Sequence, residues 1–152
     1  MGEAAFLGPE NLQFQVHATD WENALKLAAK PLVGGGCIDE SYVQAMIDSV
    51  HELGPYIVIA PGLALGHARP SAAVHRPCLA IATLDAPVEF ESKQNDPVDI
   101  VVVLASTSND AHLALLQKVV KFLGSKESFD ALRKARTPED AQAIVDFVNG
   151  GE

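Results

Sequence analysis

Basic residues are scarce in this chain: 11 Lys and Arg stand against 20 Asp and Glu, a formal net charge of −9. Nucleic-acid binding needs a basic face to replace phosphate counterions, so that class is set aside. An acidic surface instead raises the encounter rate with a basic protein partner. Long apolar runs are also missing. The longest, Ile100 to Ala105, falls far short of the roughly 20 residues that cross a bilayer. The first residues show no basic stretch followed by an apolar one, so no signal peptide is expected and the protein is expected to be cytoplasmic. Two cysteines, Cys37 and Cys78, make no disulfide framework; they suit a reducing compartment and read as small buried apolar residues. No Cys/His spacing typical of zinc is present. The run Gly34-Gly35-Gly36 lacks the Lys-Ser/Thr of a phosphate-binding loop and the spacing of a dinucleotide fingerprint, so it signals a turn only.

What is present is the composition of one globular domain: 152 residues, 48% of them apolar. That length buries an adequate core without disulfides or a structural metal. Residues 1–10 are small, apolar and Gly/Pro-containing and are expected to be loosely held, with one domain over 11–150. Leu12, Phe14 and Val16 alternate with glutamines, as in a half-buried strand. Thr19 or Asp20 caps a helix with Trp21, Ala24, Leu25 and Ala28 on its apolar face, ended by Pro31 and the glycines. Asp39 caps a second helix with the stripe Tyr42, Val43, Met46, Ile47 and Val50, stopped by Gly54 and Pro55. Strands are expected at Tyr56 to Ala60, at Cys78 to Leu84 and at Ile100 to Ala105, the last two covered on both faces. Asn109 or Asp110 opens a helix through Phe122, with the stripe Leu113, Leu116, Val119, Val120 and Leu123, and a short helix follows near Phe129 to Arg133. Thr137-Pro138-Glu139-Asp140 starts the last helix. Strands thus alternate with helices, with antiparallel pairing around Asp85 to Pro97. The fold class is α/β: a single domain, a mixed β-sheet flanked by helices.

Two histidines sit near strand ends. His67 follows Leu63 to Leu65, between Gly66 and Ala68. His112 lies beyond Val101 to Ala105, in the first turn of the next helix. Ligands of α/β sheets gather at the carboxyl ends of parallel strands, so if these two strands are neighbours their histidines converge on one shallow site. Ser106, Thr107, Ser108 and the helix-opening N–H groups are candidate phosphate donors. Arg69 is placed to neutralise a phosphate or to recognise a partner. Alone, His67 reads as a surface or hydrogen-bonded structural histidine, and His112 as a polar first-turn residue.

The segments Pro55 to Pro70 and Asp96 to Ser106, continued to His112-Leu113, resemble the enzyme IIA domains of the mannitol/fructose superfamily of the phosphotransferase system (PTS). The ascorbate-type branch is the most similar, and the resemblance covers nearly the whole chain. It implies a phosphotransferase with a phosphohistidine intermediate: His67 is phosphorylated and His112 supports it. The implied donor is the phosphocarrier HPr. The acceptor is a cysteine of an enzyme IIB, and through it the membrane enzyme IIC, for uptake of L-ascorbate or a related sugar-like compound. No nucleotide, metal or other cofactor is needed, and the chain itself does not insert into the membrane. The apolar content permits a homodimer. The family usually has proline immediately before the active histidine, where this chain has Gly66; glycine loosens the backbone there, while the imidazole itself is retained. A regulatory PTS module, whose phosphorylation state another protein reads, is the alternative, and a zinc site at His67 and His112 is a third reading.

Overall fold

The computed structural model describes residues 9–123 and 126–150, except for a few side chains of the last helices, that of His112 among them. The expectation for residues 1–10 therefore falls largely outside the described residues. From a 3-10 turn at Pro9–Asn11 the chain enters β1 (Leu12–Val16), then α1 (Trp21–Gly34) and α2 (Glu40–Leu53). Four strands follow in succession: β2 (Val58–Ala60), β3 (Leu63–Gly66), β4 (Cys78–Val88) and β5 (Val98–Ala105). The helices α3 (Asn109–Leu123), α4 (Lys126–Lys134) and α5 (Pro138–Gly150) complete it.

The sheet is mixed, in the order β1-β4-β5-β3-β2. β1 runs parallel to β4 and β3 parallel to β5, while β4/β5 and β2/β3 are antiparallel. The expected alternation of strand and helix breaks down after α2, because the connections between β2 and β5 are built as turns and loops. Between β2 and β3 the turn is Pro61-Gly62, with Gly62 at φ 81°. In the loop before β5, the Asp96 carboxylate accepts the N–H groups of Phe90 and Ser92, each at 2.9 Å.

Gly62 is tied in on all sides. Its N–H donates to the Asn95 carbonyl, and its own carbonyl accepts from Asp99 and Ile100. A Cβ there would lie 2.7 Å from Nη2 of Arg133, whose guanidinium grips the Asp99 carboxylate through two bonds of 2.8 and 2.9 Å. Left-handed backbone and overpacking then act together in Gly62→Ala. We expect it to cost about 2–4 kcal/mol. A lowered urea midpoint with unchanged slope is the expected result, and an unmoved midpoint would show that the turn relaxes freely.

The strand interiors explain the two-sided core. Successive side chains alternate between faces, so Ala64, Ala80, Ala82, Val101, Val103 and Ala105 meet α1 and α2. Leu63, Leu65, Leu79, Ile81, Ile100, Val102 and Leu104 meet the other layer, built from Val119, Leu123, Leu132, Ile144 and Val145. Cys37 and Cys78 are free, buried thiols. Burial, then the neighbouring Cys37 thiol, raises Cys78 and leaves it protonated.

Helix ends show where sequence signals and packing part company. Asp20 caps α1, its carboxylate accepting the Asn23 N–H at 2.8 Å. Pro31 does not end this helix, which continues to Gly34. Proline cannot donate to the Leu27 carbonyl one turn back, and the side-chain amide of Gln13, reaching from β1, donates to that carbonyl instead at 2.7 Å. Asp39 occupies the cap position of α2 without a side-chain capping bond. Its carboxylate instead faces Nε2 of His75 at 2.9 Å. On α3, Leu113 leaves the expected apolar stripe and stands 55% exposed. Each step of three residues drifts about 60° around a helix, so Leu113 points about 120° away from Val119.

Candidate functional site

His67 is the first residue past β3, where parallel pairing with β5 ends at Gly66 and Val103. The two strands that precede the histidines are therefore neighbours, and β5 delivers its chain directly to α3. A shallow depression of about 300 Å³ opens at this strand end, lined by His67, Ala68, Arg69 and Pro70 together with Ser49, Leu53, Tyr56 and Asn109. Asn109 is the first residue of α3, so the start of that helix borders the depression.

The imidazole is half-buried and held in one orientation. Its Nδ1 lies 2.9 Å from the Leu65 carbonyl. A carbonyl only accepts, so Nδ1 carries the proton, and in the neutral ring Nε2 carries the lone pair. Leu65 is itself fixed, donating its N–H to the Ile57 carbonyl at 2.8 Å. Tyr56 stands edge-on to the imidazole, with ring centroids 5.6 Å apart at 86°, and its hydroxyl donates to the His67 carbonyl at 3.3 Å.

Behind the site, the buried hydroxyl of Tyr42 accepts the Ala68 N–H at 3.0 Å and faces the carbonyls of Ala68 and Leu104 at 3.0 and 2.9 Å. Burial pushes its phenol up to about 12, so it remains a neutral donor. Gly66, expected to loosen this segment, is packed rather than loose: a Cβ there would come within 2.8 Å of Leu25 Cδ2 and 3.4 Å of the Met46 sulfur.

The other proposed site residues divide clearly. Arg69 is exposed on the rim of the depression. Ser106 is only 1% exposed, does not line the depression, and donates to the Ser108 carbonyl at 3.3 Å. Its hydroxyl closes its own loop, the ordinary role of a serine after a strand. His112 belongs to the first turn of α3, and its side chain lies outside the described residues. His17, His51 and His75 each meet a carboxylate, of Asp85, Glu22 and Asp39 respectively. Among the described residues no three His, Cys, Asp or Glu side chains are grouped to hold a metal ion, and no helix is long and apolar enough to cross a membrane.

Sequence reasoning passed over Tyr56 and Tyr42. Tyr56 is expected from the sequence to open a strand, whereas β2 begins only at Val58, which leaves the Tyr56 ring outside the sheet. Tyr42 lies on a buried stripe, and a buried phenol requires a hydrogen-bond partner. That requirement was the available signal.

A family described as phosphoenolpyruvate-dependent sugar phosphotransferase system, EIIA 2, matches residues 5–147. The ascorbate-specific PTS system EIIA component of Escherichia coli K12 is 35% identical over 141 residues, 92% of this chain and 92% of that protein. The crystal structure of a PTS IIA (PtxA) from Streptococcus mutans superposes with TM-score 0.84 at 30% identity, covering 99% of this chain and 95% of that one. The mannitol enzyme IIA of Escherichia coli, solved in complex with phosphorylated enzyme IIB, shares the fold at TM-score 0.79 and 23% identity, covering 96% and 98%. A five-stranded mixed sheet, a fixed histidine at its rim and a sequence match over nearly the whole length agree: this chain belongs to the EIIA 2 family of the phosphoenolpyruvate-dependent sugar phosphotransferase system.

Proposed function

We propose that the protein accepts a phosphoryl group from phospho-HPr on Nε2 of His67 and passes it to a cysteine of an enzyme IIB. Through that protein and the membrane enzyme IIC, it serves uptake of L-ascorbate or a related sugar-like compound. This places its work in the cytoplasm. The observation that carries the reading is the 2.9 Å contact of Nδ1 with the Leu65 carbonyl. It keeps the proton on Nδ1, so the Nε2 lone pair attacks phosphorus while the donor's bond to phosphorus breaks on the opposite side. The phosphorylated ring keeps its Nδ1 proton and with it a positive charge, which makes the imidazole a good leaving group when a thiolate attacks. Positioning in line, together with donors around the equatorial oxygens, supplies the catalysis. His112, in the turn of α3 that follows Asn109, is the supporting histidine in this reading. Names of relatives support the acceptor and the substrate: the 35% identical protein is called ascorbate-specific, and the mannitol relative was solved with phosphorylated enzyme IIB.

The test is incubation with phosphoenolpyruvate, enzyme I and HPr, followed by purified ascorbate-type enzyme IIB, reading intact masses throughout. One acid-labile phosphoryl group should appear on this chain and then move to the IIB cysteine. A phosphoryl group that forms but never moves to any enzyme IIB would favour the regulatory reading.

Arg69 contributes the cation nearest in sequence to the phosphorylated ring, and it stands exposed on the same rim. We expect Arg69→Gln to slow acceptance roughly tenfold, the loss of one charge-assisted contact in a partly solvated setting. Single-turnover rates at low and high salt check this; a variant as fast as the parent at low salt would remove Arg69 from phosphate or partner recognition.

A further inference from the structure

Pairing of β3 with β5 stops at Gly66 and Val103. A strand that leaves its ladder in a buried place strands backbone N–H and C=O groups, each costly to leave unmade. Here the groups at risk are the N–H and C=O of Ala68 and the C=O of Leu104. All three meet one atom, the Tyr42 hydroxyl, at 3.0, 3.0 and 2.9 Å. The oxygen accepts from the Ala68 N–H, and its single proton is shared between the two carbonyls.

We propose that Tyr42 is a positioning residue for phosphoryl transfer: its hydroxyl takes the place of the missing ladder, so that β3 turns away from β5 at His67 and presents the imidazole at the rim on a rigid backbone. The inference rests on the carrier reading of His67 and adds to it the group that aims the ring. Tyr42 is 1% exposed and is not among the residues lining the depression, so it acts through Ala68 and not on phosphate. Its helix is anchored at the same end of the sheet, because Asp39, at the cap of α2, donates its N–H to the Ala73 carbonyl and meets His75 through its carboxylate. One phenol thus joins α2, the segment after β3 and the end of β5.

The experiment compares Tyr42→Phe with the parent and with Val119→Ala, a cavity variant in the core layer on the other side of the sheet. Acceptance from phospho-HPr, melting temperature and the ring 15N signals of His67 are measured for each. Tyr42→Phe should lower the maximal rate about ten- to a hundredfold with little change in KM, and move the ring from one Nδ1–H tautomer toward a mixture. Val119→Ala should melt earlier yet keep its rate. A Tyr42→Phe protein with parental rate and ring signals overturns the proposal, as does a Val119→Ala protein slowed equally. If the parent itself is never phosphorylated, the carrier reading fails, and the ring signals alone decide the positioning claim: a tautomer change in Tyr42→Phe supports it and identical signals overturn it. If Tyr42→Phe does not fold, amide exchange in the parent decides: an Ala68 N–H as protected as those of β5 supports the bridge, and one exchanging like an exposed loop overturns it.

Discussion

His67→Ala and His67→Gln are both expected to end phosphoryl acceptance, by a factor on the order of 10⁶, the scale on which loss of a covalent nucleophile acts. The pair separates chemistry from packing. Glutamine can still offer an N–H to the Leu65 carbonyl, which Nδ1 approaches to 2.9 Å in the parent, but it has no lone pair able to attack phosphorus. Alanine removes both. Stability should change little, by about 1 kcal/mol, because the half-buried ring at the rim gives up a partly solvated hydrogen bond to the Leu65 carbonyl and an edge-on contact with Tyr56. Intact mass after incubation with phosphoenolpyruvate, enzyme I and HPr reads the first effect, and thermal melting the second. His17, His51 and His75, each facing a carboxylate, should remain unmodified in both variants. Acid-labile phosphate persisting on any of them in His67→Ala would sink the assignment.

Leu65→Ala should do the reverse. Leu65 is buried in the layer formed with Ile100, Val102 and Leu104 beneath α3 and α5. Truncating it removes transfer free energy and leaves a cavity in a close-packed interior, for about 2–5 kcal/mol. In a domain of this size that lowers the melting temperature by roughly 5–15 °C. The contact to His67, however, is made by the Leu65 backbone carbonyl, which the substitution leaves in place. Acceptance measured well below the melting transition should therefore stay within about twofold of the parent. A folded Leu65→Ala protein slowed tenfold would mean that core packing, and not the carbonyl alone, sets the ring.

The extent to which the site was readable follows the same division. A histidine just after an apolar strand-like run, with a second in the first turn of a later helix, is visible in the sequence because both signals are local. So are the stripe of α2 and the Thr137 start of α5, where Thr137 Oγ1 accepts the Asp140 N–H at 3.1 Å. Ser106 misled for a local reason: a hydroxyl after a strand suggests a phosphate donor, whereas the fold turns it inward to Ser108. Pro31 misled because its missing bond is repaired by Gln13, a residue 18 positions earlier and on another element.

By itself the sequence determined the helices, most of the strands, the α/β class and the candidate nucleophile, since each depends on periodicity, capping and turn chemistry within a few residues. Only the tertiary structure decided the strand order, with β4 and β5 set between β1 and β3, the proton on Nδ1 of His67, and the convergence of Tyr42 and Tyr56 behind and beside it. The Nδ1 proton is set by the Leu65 carbonyl only two residues back, whereas the strand order and the Tyr42 bridge come from contacts between residues far apart along the chain, such as Tyr42 with Leu104. Such contacts are chosen by burial and by the need to satisfy every buried backbone group at once, and no local pattern records that choice.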